Sequence, residues 1–220
     1  MTQVLESSEP RVYQGQFGEF TITKSDRTGV IVYRTGLMVA ALSFAIASGL
    51  VLWQGNNPTV LTAVTFLYTC FYIALGVSLA TIHIYLASLH RVLQVFWAIG
   101  GVASLVLAWQ YSEPLALTVA SQPFAIVGVG FTFAALTGIY FKEAFCFDRF
   151  ETKLLTPLVP ILLLGHLFGV LPVNGEQVLL GLWAILFIVF ALRKAIQAIT
   201  PDIGDKSVFD YLKAQRNAKA

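Results

Sequence analysis

The sequence predicts an all-α, polytopic integral membrane fold: six transmembrane helices, with the N and C termini both cytoplasmic, or stromal in a plastid. Three observations carry that expectation. Of 220 residues, 57% are hydrophobic and 12% are charged, a charged share about half the ~25% usual in soluble domains. The apolar residues gather into runs long enough to cross a hydrocarbon core. All 14 Lys and Arg residues fall on one side of those runs, the side that the positive-inside rule makes cytoplasmic.

Residues 1–34 form a polar cytoplasmic segment with Arg11, Lys24, Arg27 and Arg34. It has no early apolar core followed by a small-residue cleavage site, so a secretory leader is not expected. Glu6, Glu9, Glu19 and Asp26 sit where a transit peptide avoids acidic residues, which predicts a bacterial chain or a processed organellar one. The transmembrane domain, 35–192, holds uncharged runs at Thr35 to Trp53, Thr59 to Ala80, Val92 to Trp109, Phe124 to Phe141, Leu154 to Leu171 and Val178 to Leu192. Residues 193–220 form a cytoplasmic tail, helical from Asp205 to about Lys219, where Val208, Tyr211 and Leu212 make an i, i+3, i+4 stripe.

Turn-forming residues separate the spans at Gln54 to Pro58, Glu113-Pro114 and Pro172 to Gly175, and these three loops carry no Lys or Arg. Trp53 and Trp109 end the first and third spans on that same side, a headgroup level that suits indole rings. Trp97 and Trp183 lie inside spans and require packing or polar partners. Leu115 to Ala120 is apolar but too short to cross, so it reads as a short interfacial helix.

Among ionisable residues, only His166 falls inside the spans so drawn, in Leu162-Leu-Leu-Gly-His-Leu-Phe-Gly169. An intramembrane titratable group is a functional candidate. Its imidazole could ligate chlorophyll magnesium or haem iron, or it could donate a hydrogen bond where Gly165 and Gly169 let another helix approach. His83 and His90, seven residues apart, fall on one helical face near the cytoplasmic end of the second span. They read as pigment or headgroup contacts or as plain interfacial polar residues.

The densest polar cluster is the segment Phe141 to Lys153. There Lys142, Glu143, Asp148, Arg149 and Glu151 interleave with Phe145 and Phe147, giving a cytoplasmic loop able to dock a partner or to dip its rings into the headgroup layer. No Ser-His-Asp, HExxH or phosphate-cradling glycine pattern accompanies it, so no catalytic residue is assigned and the chain is expected not to be an enzyme. A net charge of +2 without basic and aromatic interleaving argues against nucleic acid. Cys70 and Cys146 have no metal or redox spacing.

The segment Thr137 to His166, through its FKEAFCF and LLLGH patterns, resembles the integral membrane proteins of cyanobacteria and plastids grouped as domain of unknown function 2301. The similarity in layout runs from about Val30 to Lys194. What the resemblance implies is a thylakoid location and an accessory or assembly role toward photosystem subunits, photosystem II above all, or toward chlorophyll-carrying intermediates. A small membrane transporter or channel is the alternative reading of the six spans.

Overall fold

A computed structural model describes residues 12–55 and 57–218. A two-stranded antiparallel hairpin comes first, β1 (Val12–Gly15) and β2 (Gly18–Thr21), with Tyr13 opposite Phe20. Among the described residues, nine helices follow: α1 (Lys24–Gln54), α2 (Pro58–Thr81), α3 (Ala87–Gln110), α4 (Leu115–Ser121), α5 (Ala125–Phe147), α6 (Phe150–Leu167), α7 (Val173–Ile196), α8 (Thr200–Ile203) and α9 (Lys206–Ala218). Six of these, α1, α2, α3, α5, α6 and α7, are long and apolar enough to cross a membrane.

The expected first span begins at Thr35, but α1 starts at Lys24. Thr23 and Asp26 form a reciprocal capping box there, and the 31 residues rise about 46 Å at 1.5 Å each, well beyond a ~30 Å hydrocarbon core. Lys24, Asp26, Arg27 and Arg34 hide this extension from a search for uncharged runs. The fourth span likewise runs on to Phe147, so the expected loop from Phe141 to Lys153 is two helices meeting at a two-residue corner. Asp148 turns that corner in the left-handed region, φ 51°, and extended Arg149 precedes α6. The hairpin has no counterpart in the sequence-based reading, although Gly15-Gln-Phe-Gly18 between two short polar-aromatic runs is its signature.

The spans form a ring in which each packs on two neighbours, in the order α1, α2, α3, α5, α6, α7 and back to α1. Small residues set the closest approaches. A Cβ on Gly36 would lie 2.8 Å from the Ala74 carbonyl oxygen, and one on Gly100 would lie 2.5 Å from the Thr132 nitrogen. Both joints therefore depend on glycine, as expected where helices associate without a hydrophobic driving force. The middle of the ring is filled by Phe44, Phe71, Phe133 and Trp183, with centroid spacings of 4.4 to 6.3 Å. Trp183 donates its indole N–H to the Tyr140 hydroxyl at 3.2 Å, and Trp97 donates to the Tyr72 carbonyl at 2.9 Å.

The hairpin, the α2–α3 and α5–α6 connections, α8 and α9 gather at one end of the ring, here called the hairpin end. Phe17 stacks on Tyr211 at 3.9 Å, Tyr85 meets Phe209 at 4.8 Å, and the Phe17 amide donates to Ser207 Oγ at 3.0 Å. The tail helix α9 thus lies on the hairpin. At the other end α4 caps α2, its Ala116 amide donating to Thr65 Oγ1 at 3.2 Å. The exposed rings of Trp53, Trp109, Phe124 and Phe168 belong to the termini of spans at that end.

Candidate functional site at the hairpin end

Charge is concentrated where α1, α5, α6, α7 and α8 meet. Lys194, at the end of α7, is fully buried and donates to Glu143 Oε2 at 2.7 Å and to Asp202 Oδ1. Its ammonium also sits 4.1 Å from the Phe147 ring centroid, a cation–π contact. Glu143 accepts from Lys142 at 2.8 Å and from the Tyr33 hydroxyl at 3.3 Å. Asp202 takes a two-pronged bond from Arg34, Nε at 2.8 Å and a terminal nitrogen at 2.6 Å, and Arg34 also donates to the Gln197 and Ala198 carbonyls. Alongside, Glu151 accepts from Arg149 at 3.3 Å and from Arg193 at 2.5 Å. Arg149 further donates to the Gln197 side chain, which ties the two groups together. Among the described residues, Arg149 Nε is a buried side-chain nitrogen with no hydrogen-bond partner.

Four residues expected on an open docking loop therefore lie inside. Lys142, Glu143, Arg149 and Glu151 are buried, because α5 continues past Phe141 and carries the first two toward α1 and α7, while the corner after Phe147 brings Arg149 and Glu151 against the end of α7. Asp148 and Phe145 remain exposed; Asp148 pairs with Lys153 at the surface. Phe147 is half-buried. Sequence reasoning missed Arg34, Lys194 and Asp202 as members of the site. The available signal was a basic residue at one boundary of the first span and of the last, with an acid a few residues past the last span.

A pocket of about 330 Å³ opens beside this cluster. His83, Leu86 and Leu89 line it from the α2–α3 side, Lys142 and Phe145 from α5, and Asp202 and Phe209 from the tail. Burial holds the His83 imidazole below its usual pKa, against the opposing pull of Asp26. His83 and His90 do not share a helical face, since α2 ends at Thr81 and α3 begins at Ala87. His90 instead sits in the first turn of α3 and bonds the Leu79 carbonyl at 2.6 Å.

His166 belongs to the opposite end. It lies in the last turn of α6, and its Nδ1 is 3.0 Å from Glu176 in the first turn of α7. The span expected to run to Leu171 stops at Leu167, so His166 lies in the last turn of a span and is partnered by Glu176.

Residues 77–211 match the family model described as uncharacterized integral membrane protein, DUF2301. The matched stretch takes in α3 to α8, hence Lys142, Glu143, Arg149, Glu151, Lys194 and Asp202, and begins after Arg34. No curated protein and no solved structure matches the chain.

Proposed function

We propose, from the premise that the chain belongs to the DUF2301 family of integral membrane proteins, that it is a non-catalytic accessory or assembly factor of the thylakoid membrane. On this reading it binds photosystem subunits, those of photosystem II foremost, or their chlorophyll-carrying intermediates. The thylakoid setting rests on the resemblance of the Thr137 to His166 segment to proteins of cyanobacteria and plastids.

The observation that supports partner binding is an aromatic rim around a rigid base. Phe141, Phe145 and Phe150 are 53%, 84% and 69% exposed at the hairpin end, while Lys142, Glu143 and Arg149 between them are held in internal ion pairs. Exposed aromatics on a fixed scaffold are what dominate interface energetics. The channel alternative draws less support, since the centre of the ring is packed with Phe44, Phe71, Phe133 and Trp183.

Affinity isolation from solubilised thylakoids tests the proposal. Tagged wild-type protein is expected to recover photosystem subunits, and Phe145→Ala with Phe150→Ala to recover about tenfold less, as loss of ~1.4 kcal/mol of binding implies. Wild-type recovery free of photosystem subunits rejects the photosystem role. An absorption spectrum of the same eluate reports whether pigment accompanies the protein.

A further inference from the structure

The pocket has apolar walls with one cation, Lys142, and one carboxylate, Asp202, in its lining, and the ion cluster behind it carries an excess of positive charge. Leu86, Leu89, Phe145 and Phe209 supply apolar surface, and the volume of about 330 Å³ lies at the low end of the ~300–1,000 Å³ typical of ligand sites. Behind it, Arg34, Lys142, Arg149 and Lys194, all with side chains no more than 9% exposed, face only Glu143, Glu151 and Asp202. That is four buried cations against three carboxylates, and half-exposed Arg193 adds a fifth cation.

The shortfall falls on the residue that faces the pocket. Glu143 divides its two oxygens between Lys142 and Lys194, and Lys194 has Asp202 as a second carboxylate. Asp202 also lines the pocket but is already bound by both Arg34 and Lys194. Lys142 has half of one carboxylate, and it lines the apolar cavity. The pocket lies where charged helix ends leave the hydrocarbon core, the level at which lipid headgroups sit.

We propose that this pocket binds one anionic lipid, with its headgroup paired to Lys142 and an acyl chain laid along Leu86, Leu89 and Phe145. Charge complementarity selects an anionic head over a zwitterionic one, and the apolar walls select a lipid over a soluble anion. The proposal is independent of the photosystem reading.

Melting of the purified full-length chain in a non-ionic detergent tests it, with dioleoylphosphatidylglycerol, dioleoylphosphatidylcholine or inorganic phosphate added. Phosphatidylglycerol is expected to raise the midpoint by roughly 5 °C at saturating lipid, and the other two to leave it unchanged. Lys142→Gln and the pocket-filling Leu89→Trp should lose the shift. Lys142→Arg and the exposed-site control Lys153→Gln should keep it. Equal protection by phosphatidylcholine, full protection by phosphate alone, or a shift that survives both Lys142→Gln and Leu89→Trp overturns the assignment. If Lys142→Gln does not fold, native mass spectrometry of wild type and Leu89→Trp decides. One phosphatidylglycerol retained by wild type and none by Leu89→Trp supports the site; equal retention rejects it.

Discussion

Glu143 is the residue on which the buried cluster turns. With no exposed surface it balances two ammonium groups and a phenol, so Glu143→Gln strands at least one buried cation. Breaking a buried pair from one side costs about 3–5 kcal/mol, and thermal unfolding in detergent should show a loss of that order. Asp148→Asn removes a pair whose side chains are 50% and 88% exposed, and the same measurement should show a loss of only ~0–1 kcal/mol. Similar effects from the two variants would mean that the cluster is hydrated. The contrast was not legible in the sequence, where Glu143 and Asp148 stand five residues apart in one mixed-charge stretch. Burial there depends on α5 continuing past Phe141, and a single-chain pattern of charges cannot show which of them another helix will cover. The end of the fifth span was missed for a related reason: the apolar run continues to Leu171, yet α6 ends at Leu167, with Gly169 at φ 61° just beyond, so His166 stands in the last turn of the span.

At the scale of elements, the hairpin and the tail hold each other. Asp205 accepts from the Gln16 amide at 2.6 Å and from the Ser207 amide and hydroxyl at 2.9 and 2.7 Å. These bonds, the Gln16 amide first, hold its carboxyl below the usual value. A carboxylate with a lowered folded-state pKa stabilises above its ordinary value, near 3.9, and that contribution is lost as pH falls through the lowered one. Amide-exchange protection over residues 12–21, taken relative to the intrinsic exchange rate at each pH, should therefore fall on acidification, ahead of the spans. Asp205→Asn should show fast exchange already at neutral pH and a flatter acid response; an unchanged profile would remove Asp205 from the clasp. Neither partner was fully readable beforehand. The stripe of Val208, Tyr211 and Leu212 revealed a helix with an apolar side, but the hairpin that covers it was masked by the polar character of the N-terminal segment.

For the whole molecule, fold class was legible because the bilayer constrains it so strongly: only helices of a certain length and apolarity satisfy their backbone groups within lipid. Ring order was not, since lipid-facing and partner-facing sides of these helices are equally apolar. What closes the ring is the joint between α1 and α7, and there Arg34 and Asp202 couple the first span to the segment after the last. A double-mutant cycle on Arg34→Gln and Asp202→Asn should return an interaction of about 1–3 kcal/mol. Additive effects would show that the apolar contacts of α1 and α7 close the ring unaided.

That joint also imposes a timetable. Arg34 is made with α1 and Lys194 with α7, while Asp202 emerges from the ribosome only after α7 is complete. From the making of α1 until Asp202 is translated, Arg34 is therefore without the carboxylate that it pairs with in the folded chain. Docking of Asp202 can come only after α7 has been made, so the α1–α7 joint acquires its ion pairs late in folding.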